Sequence, residues 1–219
     1  MKSICAYLCI LLLTVSVLVS CQKDQDEVPS YISGFFTATT DSNTHIYRLT
    51  DDMGNVYNVD NNDLIFDYYN SGLPARDTTV RIVATVCAGN DGKYVIVSKT
   101  FPMSTIAPDY TDYIPNNLKG RDPIKLKSIY IGGGHLNVVL GTMTENGQIG
   151  HSYLYMLKEN SKNNIRIKFY HNAHNDNSVY TENVYLSIPL TVYNIQKNDT
   201  VLFCYKSYEG DCVEKLVYR

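Results

Sequence analysis

His171-Asn172-Ala173-His174-Asn175-Asp176 is the densest run of chemically capable side chains in this 219-residue sequence. Two imidazoles three residues apart would share one face of a helix and could begin a metal shell. Here the flanking pattern is not helical, because Ile165, Ile167 and Phe169 alternate with Arg166, Lys168 and Tyr170. His171 therefore closes a strand and His174 enters a loop. No Cys pair or His-Glu-x-x-His run stands nearby to complete a zinc shell. The oxygen donors lack the acidic density and terminal Glu of a calcium loop. Asn and Asp here are ordinary turn formers, so the run reads as a structural turn, and no metal or cofactor is expected. Gly132-Gly133-Gly134 is the other conspicuous run. A phosphate cradle needs glycines between a strand and a helix N-terminus, but a second strand pattern follows these. They read as a tight reversal that needs positive φ. There is no Gly-x-Ser-x-Gly elbow and no evident Cys–His or paired-acid arrangement, so no catalytic residue is expected.

The N-terminus carries different chemistry. Lys2 supplies a positive start, Ile4 to Val19 form an apolar run, and the small Ser20 precedes Cys21. A spanning helix needs about 20 apolar residues, and this run stops short at Cys21 and the polar residues behind it. Leu18-Val19-Ser20-Cys21 resembles the lipobox of bacterial lipoproteins. That resemblance implies cleavage after residue 20, lipid on Cys21, and attachment to the outer membrane through that lipid. A plain signal peptide or a membrane helix is the alternative. Residues 21–30 then form a short acidic tether that nine extended residues could stretch to roughly 30 Å. Asp24, Asp26 and Glu27 behind Lys23 also look like the signal that sends some lipoproteins to the cell surface, against the plainer reading of a polar spacer.

Composition narrows the partners. A formal charge of −3 with 19% charged residues leaves no clustered Lys/Arg footprint for nucleic acid. Nineteen Tyr with no Trp suit pleated, half-buried surfaces. They fit a β-rich protein in general, or an aromatic face for a protein or glycan ligand. Of six cysteines, Cys5 and Cys9 leave with the leader and Cys21 carries lipid. Cys204 and Cys212 flank a short loop and could pair across a hairpin as a disulfide. Cys87 sits in an apolar strand pattern and reads as a small core hydrophobe.

The elements that must position these residues are strands throughout. Thr44–Thr50 and Asn55–Val59 bracket Asp51-Asp52-Met53-Gly54, and Thr79–Ala88 and Lys93–Phe101 bracket Gly89-Asn90-Asp91-Gly92. These are two hairpins, and with Tyr31–Thr39 they fit a small OB-like β-barrel over residues 31–102. Residues 103–122 hold Pro108 and Pro115 and read as a Pro-rich interdomain connection. Its Tyr110 and Tyr113 are candidates for partner contact at the domain junction. Residues 123–219 show seven strand patterns, from Ile124–Ile131 to Val213–Tyr218, including Asn183–Tyr193. They point to a seven-stranded antiparallel β-sandwich. The expected fold class is thus all-β, barrel then sandwich.

Asp122-Pro123-Ile124, Leu126–Asn137 with its three glycines, and Tyr185-Leu186-Ser187-Ile188-Pro189-Leu190 together resemble the C-terminal domain of NigD-like lipoproteins. The resemblance is specific in the C-terminal half. It implies an OB-like domain followed by a sandwich and brings no catalytic residues. Together with the lipobox, it leads to the expectation of a lipid-anchored protein acting by binding or assembly. A structural subunit of a surface assembly and a secreted hydrolase stand as alternatives.

Overall fold

The computed structural model describes residues 30–60, 66–67, 73–74, 76–89, 92–102, 122–145, 149–161, 164–191 and 194–219. Tyr31–Arg219 form one compact unit.

Strand β1 (Tyr31–Thr40) shows why the N-terminal half closes on itself. Its side chains alternate between two faces. Phe36 and Ala38 point into a core with Ile46, Leu49, Ile82 and Val86, while Ser33, Phe35 and Thr37 take the other face. Strands β2 (Ile46–Asp51), β3 (Val56–Asn58), β6 (Thr79–Ala88) and β7 (Tyr94–Thr100) complete a sheet of order β3-β2-β1-β6-β7. The short pair β4 (Phe66–Asp67) and β5 (Leu73–Pro74) lies between β3 and β6 in sequence. Val59 bridges Tyr94 in parallel, and the Asp60 N–H donates to the Tyr94 carbonyl at 3.0 Å. That contact brings the third strand to the last and closes the sheet into the expected OB-like barrel, leaving little open edge.

The second half is the expected seven-stranded sandwich. One sheet has the order β12-β9-β8, from β8 (Lys125–Gly132), β9 (His135–Thr144) and β12 (Tyr180–Pro189). The other runs β10-β11-β13-β14, from β10 (Ser152–Ser161), β11 (Asn164–Asn172), β13 (Thr200–Ser207) and β14 (Gly210–Val217). Leu136, Val138, Leu140, Leu186 and Ile188 meet Ile167, Phe169, Val201 and Phe203 in the core between them. Two details depart from expectation. The sandwich is not wholly antiparallel, because β11 and β13 pair in parallel. The chain leaves β11, crosses to the other sheet as β12, and returns pointing the same way. The fifth strand pattern, expected over Asn183–Tyr193, also ends earlier, at Pro189. Leu190 turns instead to donate its N–H to the Gly134 carbonyl at 2.9 Å.

β9 is buried on both faces, and this orders the whole molecule. Leu136, Val138 and Leu140 face the sandwich core, and Asn137, also fully buried, faces the barrel. The chain is therefore layered: barrel, three-stranded sheet, four-stranded sheet. A strand covered on both sides reads as a continuous apolar run, which is what Leu136 to Leu140 show apart from Asn137.

The triple glycine is a two-residue reversal, Gly133 and Gly134 having φ of 57° and 77°. It is also a seat. A Cβ on Gly132 would lie 2.8 Å from the Asp52 Cβ, and one on Gly133 would lie 2.6 Å from Asp52 Oδ1. Gly133→Ala should therefore cost about 1–3 kcal/mol, from backbone strain plus displacement of Asp52. Urea unfolding measures it, and a loss below a few tenths would mean that Asp52 does not need the seat.

Candidate functional site

Asp52 reaches the sandwich because its own hairpin presents it. The Asp51 carboxylate accepts the N–H groups of Met53 and Asn55 at 2.9 and 2.8 Å, and Gly54 takes a φ of 88°. This folds the β2–β3 turn tightly and projects Asp52 at its tip. The Asp52 carboxylate there accepts from the Arg81 guanidinium, from the Tyr130 hydroxyl at 2.8 Å and from Asn137 Nδ2 at 2.9 Å. Arg81 Nε donates to Ser187 Oγ at 3.2 Å, its Nη2 to Asn137 Oδ1 at 3.1 Å and its Nη1 to Thr37 Oγ1 at 3.3 Å. Ser187 Oγ donates to Asn137 Oδ1 at 2.7 Å. The Arg81 and Asp52 side chains are 12% and 10% exposed. Three barrel residues, Thr37, Asp52 and Arg81, and three sandwich residues thus satisfy one another, with Asn137 and Ser187 buried at the centre.

An aromatic seam lies beside this network. The Arg81 guanidinium sits 5.6 Å from the centre of the Phe35 ring, which meets Tyr130 and Tyr185 edge-on at 6.2 and 6.1 Å. Burial, reinforced by the Asp52 hydrogen bond, pushes the Tyr130 phenol well above its ordinary range, so it stays a donor at all working pH. A cleft of about 560 Å³ follows the seam past Val83, Ser98 and Val139. It shares Thr100 and Tyr185 with a second cleft of about 330 Å³ that reaches Phe101, His151, Tyr153 and Glu182.

His151 leads to the run singled out in the sequence. Asp176 Oδ2 accepts from Thr144 Oγ1 at 2.6 Å and from His151 Nε2 at 3.1 Å. With its Nε2 protonated, His151 offers the Nδ1 lone pair, which accepts His171 Nε2–H at 3.0 Å. The Tyr153 and His171 rings stack at 5.1 Å. Burial and then the neighbouring His151 lower the His171 pKa to about 4. The Thr144 hydrogen bond, with that of His151, holds Asp176 below the usual carboxylate range against the opposing effect of burial. The run is a turn as expected, with His174 and Asn175 at φ of 52° and 62°, and the Asp122 carboxylate accepts the Ala173 N–H at 2.7 Å. His151, Thr144 and Tyr153 were not anticipated as companions of His171, because strand pairing brings them from elsewhere in the chain. His174 does not join them; its Nε2 meets Ser152 Oγ at 2.7 Å near the surface. Among the described residues no group of three or more His, Cys, Asp and Glu is arranged to hold a metal.

The remaining candidates fall apart in space. Cys204 and Cys212 are both free thiols and are not brought together. Tyr205 lies opposite Cys212 in the ladder, so Cys204, one residue away, points to the other face of the sheet. Their spacing suggested a bridge, but the register is offset by one residue. Cys87 is also free and only partly buried. It sits on the opposite face of β6 from the barrel-core residues Ala84 and Val86, apart from the core position expected of it. Cys21, Tyr110 and Tyr113 lie outside the described residues.

These elements define an all-β protein of barrel-plus-sandwich class with a buried polar junction. The chain belongs to the NigD-like family: residues 105–218 match the NigD-like C-terminal beta sandwich domain. That match includes most of the expected interdomain connection. Comparison with curated proteins gives no match. Among solved structures, the chain is similar to a NigD-like immunity protein from Bacteroides caccae. The two are 23% identical over 88% of this chain and 99% of that one, with a TM-score of 0.65. It is also similar to a putative toxin related protein from Parabacteroides distasonis at 17% identity, 87% and 94% coverage and a TM-score of 0.58. A protein of unknown function from Bacteroides vulgatus follows at 13% identity, 87% and 92% coverage and a TM-score of 0.56. At these identities the likeness establishes the fold.

Two measurements test the site. Arg81→Met should destabilise by about 3–5 kcal/mol, because it strands the buried Asp52 charge. Arg81→Met combined with Asp52→Asn should recover part of that loss; full additivity would show that the pair does not act as a unit. His171, with its pKa held low, stabilises the fold fully only above its ordinary value near 6.5. Roughly 3 kcal/mol should be lost as pH falls from there to 4. His171→Gln keeps an N–H donor for His151 without titrating, so its urea midpoint should fall much less over that range. Parallel pH profiles for the two proteins would refute this account.

Proposed function

We propose that this protein is held at the outer membrane by lipid on Cys21 and works there by binding a protein or glycan partner, without turnover, metal or cofactor. The observation that carries this reading is how its polar groups are used. Arg81, Asp52, Asn137 and Ser187 spend their hydrogen bonds on one another, and both ring nitrogens of His151 are engaged by Asp176 and His171. A general base must face a substrate with a free lone pair, and the cleft-lining His151 has none to offer. Fusing the barrel and sandwich through a satisfied junction instead gives a stiff surface, which lowers the ordering cost of an encounter. The leader and Leu18-Val19-Ser20-Cys21 supply the location, and the acidic tether supports display on the cell surface.

A second, narrower reading is that the partner is a protein toxin, which this chain neutralises. It is favoured by the similar structures, one named an immunity protein and another a putative toxin related protein. A structural role in a surface assembly would use the same contacts between copies.

Cys21→Ser tests the anchored part of the proposal. The variant should lose detergent-phase partitioning and leave the outer-membrane fraction, or stall before leader cleavage. Unchanged partitioning would overturn lipid attachment and leave the binding reading to be tested separately.

A further inference from the structure

Among the described residues strands β8 and β14 are both sheet edges, each paired on one side only, and they approach one another at an open corner of the sandwich. The gap between them is a cleft of about 690 Å³ lined by Ile129, Tyr130 and Ile131 of β8 and by Lys215, Leu216 and Val217 of β14. Ile129, Ile131 and Leu216 reach down to the sandwich core. Tyr130 and Val217 stay 38% and 45% exposed. Alternate residues along an edge strand leave N–H and C=O groups facing out, which is a template for another strand. β14 has no proline and no bulge to blunt it.

The exposed charged side chains of the rim carry one sign. Lys197, Lys215 and Arg219 all border the cleft and are exposed. Among the described residues none of the three has an ion-pair partner. The acid at the cleft's end, Asp52, does not cancel them, because its carboxylate is taken by Arg81, Tyr130 and Asn137. Three cationic side chains at one corner of a chain whose net charge is −3, without ion-pair partners among the described residues, set the sign of what the corner attracts.

We propose that this corner binds an extended, acidic segment of a partner protein, which adds as a strand to an exposed edge and places carboxylates against Lys197, Lys215 and Arg219. Main-chain pairing supplies affinity in this mode, and the side-chain contacts supply specificity. The inference deepens the proposed binding role and rests on it. An edge template selects a polypeptide over a glycan, since a sugar chain cannot continue a ladder of N–H and C=O groups.

The test is calorimetric titration of the full mature lipoprotein in detergent with a capped peptide of four Glu-Val repeats. Saturable binding is expected, weakening at least tenfold for the K197E/K215E double variant, whose melting temperature should be unchanged because both side chains are exposed. Binding should be lost when alternate peptide nitrogens are methylated, which blocks ladder pairing and leaves the charge intact. Equal binding of the methylated peptide would overturn strand addition, and equal binding to the double variant would overturn the charged rim. Two further outcomes would replace the proposed occupant. One is polygalacturonate binding in place of the peptide, lost in K197E/K215E. The other is a concentration-dependent dimer in sedimentation equilibrium, abolished by the same variant. No peptide binding, with a separate partner still bound elsewhere on the protein, would overturn this corner alone and leave the broader binding role standing.

Discussion

The burial of β9 on both faces is the constraint from which most of this structure follows. A strand covered on only one face can alternate apolar and polar residues and leave its second face to water. β9 cannot, because the barrel lies where the water would be. Its barrel-facing side must either be apolar or have every polar atom satisfied. Asn137 takes the second course, and its amide dictates the rest. Its oxygen needs donors, which Ser187 and Arg81 provide, and its nitrogen needs an acceptor, which Asp52 provides. The guanidinium and carboxylate that serve it then need each other. One buried amide in the middle strand therefore accounts for an ion pair that joins the barrel to the sandwich. Such a pair adds little net stability compared with a well-packed apolar junction. What it fixes is register, because a fork of directed hydrogen bonds tolerates less sliding than an apolar face.

Much of this was legible in the residues. Period-two patterns and Gly-containing turns located both hairpins of the barrel, and the seven strand patterns after Pro123 matched seven strands. Gly132-Gly133-Gly134 was legible as a reversal because positive φ is a local requirement. Its second role as a seat for Asp52 was not, since no local rule says what approaches a glycine from a distant turn. The parallel pairing of β11 with β13 was hidden for a similar reason. Strand direction depends on which sheet β12 joins, and that is decided by packing. The register offset between Cys204 and Cys212 is a subtler case. The two thiols flank a two-residue turn, yet a ladder places opposite partners on one face, and a single residue of offset reverses the face.

The polar junction did leave a trace. Arg81 interrupts Val80-Arg81-Ile82, Asn137 interrupts Leu136-Asn137-Val138, and Ser187 interrupts Leu186-Ser187-Ile188. Each is a polar residue at a strand position flanked by core residues. Taken singly, each resembles the outward half of a half-buried strand. Only the near-continuous apolar character of the stretch after Asn137 sets it apart, since an outward face would have shown further polar residues at Val139 and Gly141. Phe35 beside Phe36 is a matching signal on the barrel. Adjacent residues in a strand face opposite ways, so two neighbouring phenylalanines require two apolar environments, and a small barrel has only one interior.

The histidine relay follows the same logic, with burial met by directed hydrogen bonds. His171, His151 and Asp176 come from a strand end, a strand approach and a turn. Each is polar, and His171 and the Asp176 side chain are removed from water. In line they satisfy most of what burial demands, with Asp176 orienting His151 and His151 orienting His171. An arrangement of this kind resembles a catalytic chain in its wiring and differs from one at its end. Its last free nitrogen, His171 Nδ1, is buried without a hydrogen-bond partner among the described residues. In a catalytic chain that lone pair would open onto a cleft. Here the cleft instead meets the flank of His151, whose nitrogens are already used, and the ring of Tyr153. The relay therefore ties the chain at Asp122, where the sandwich begins, to the ends of β9, β10 and β11. The exposed clefts lie elsewhere, along the aromatic seam and at the cationic corner between two sheet edges.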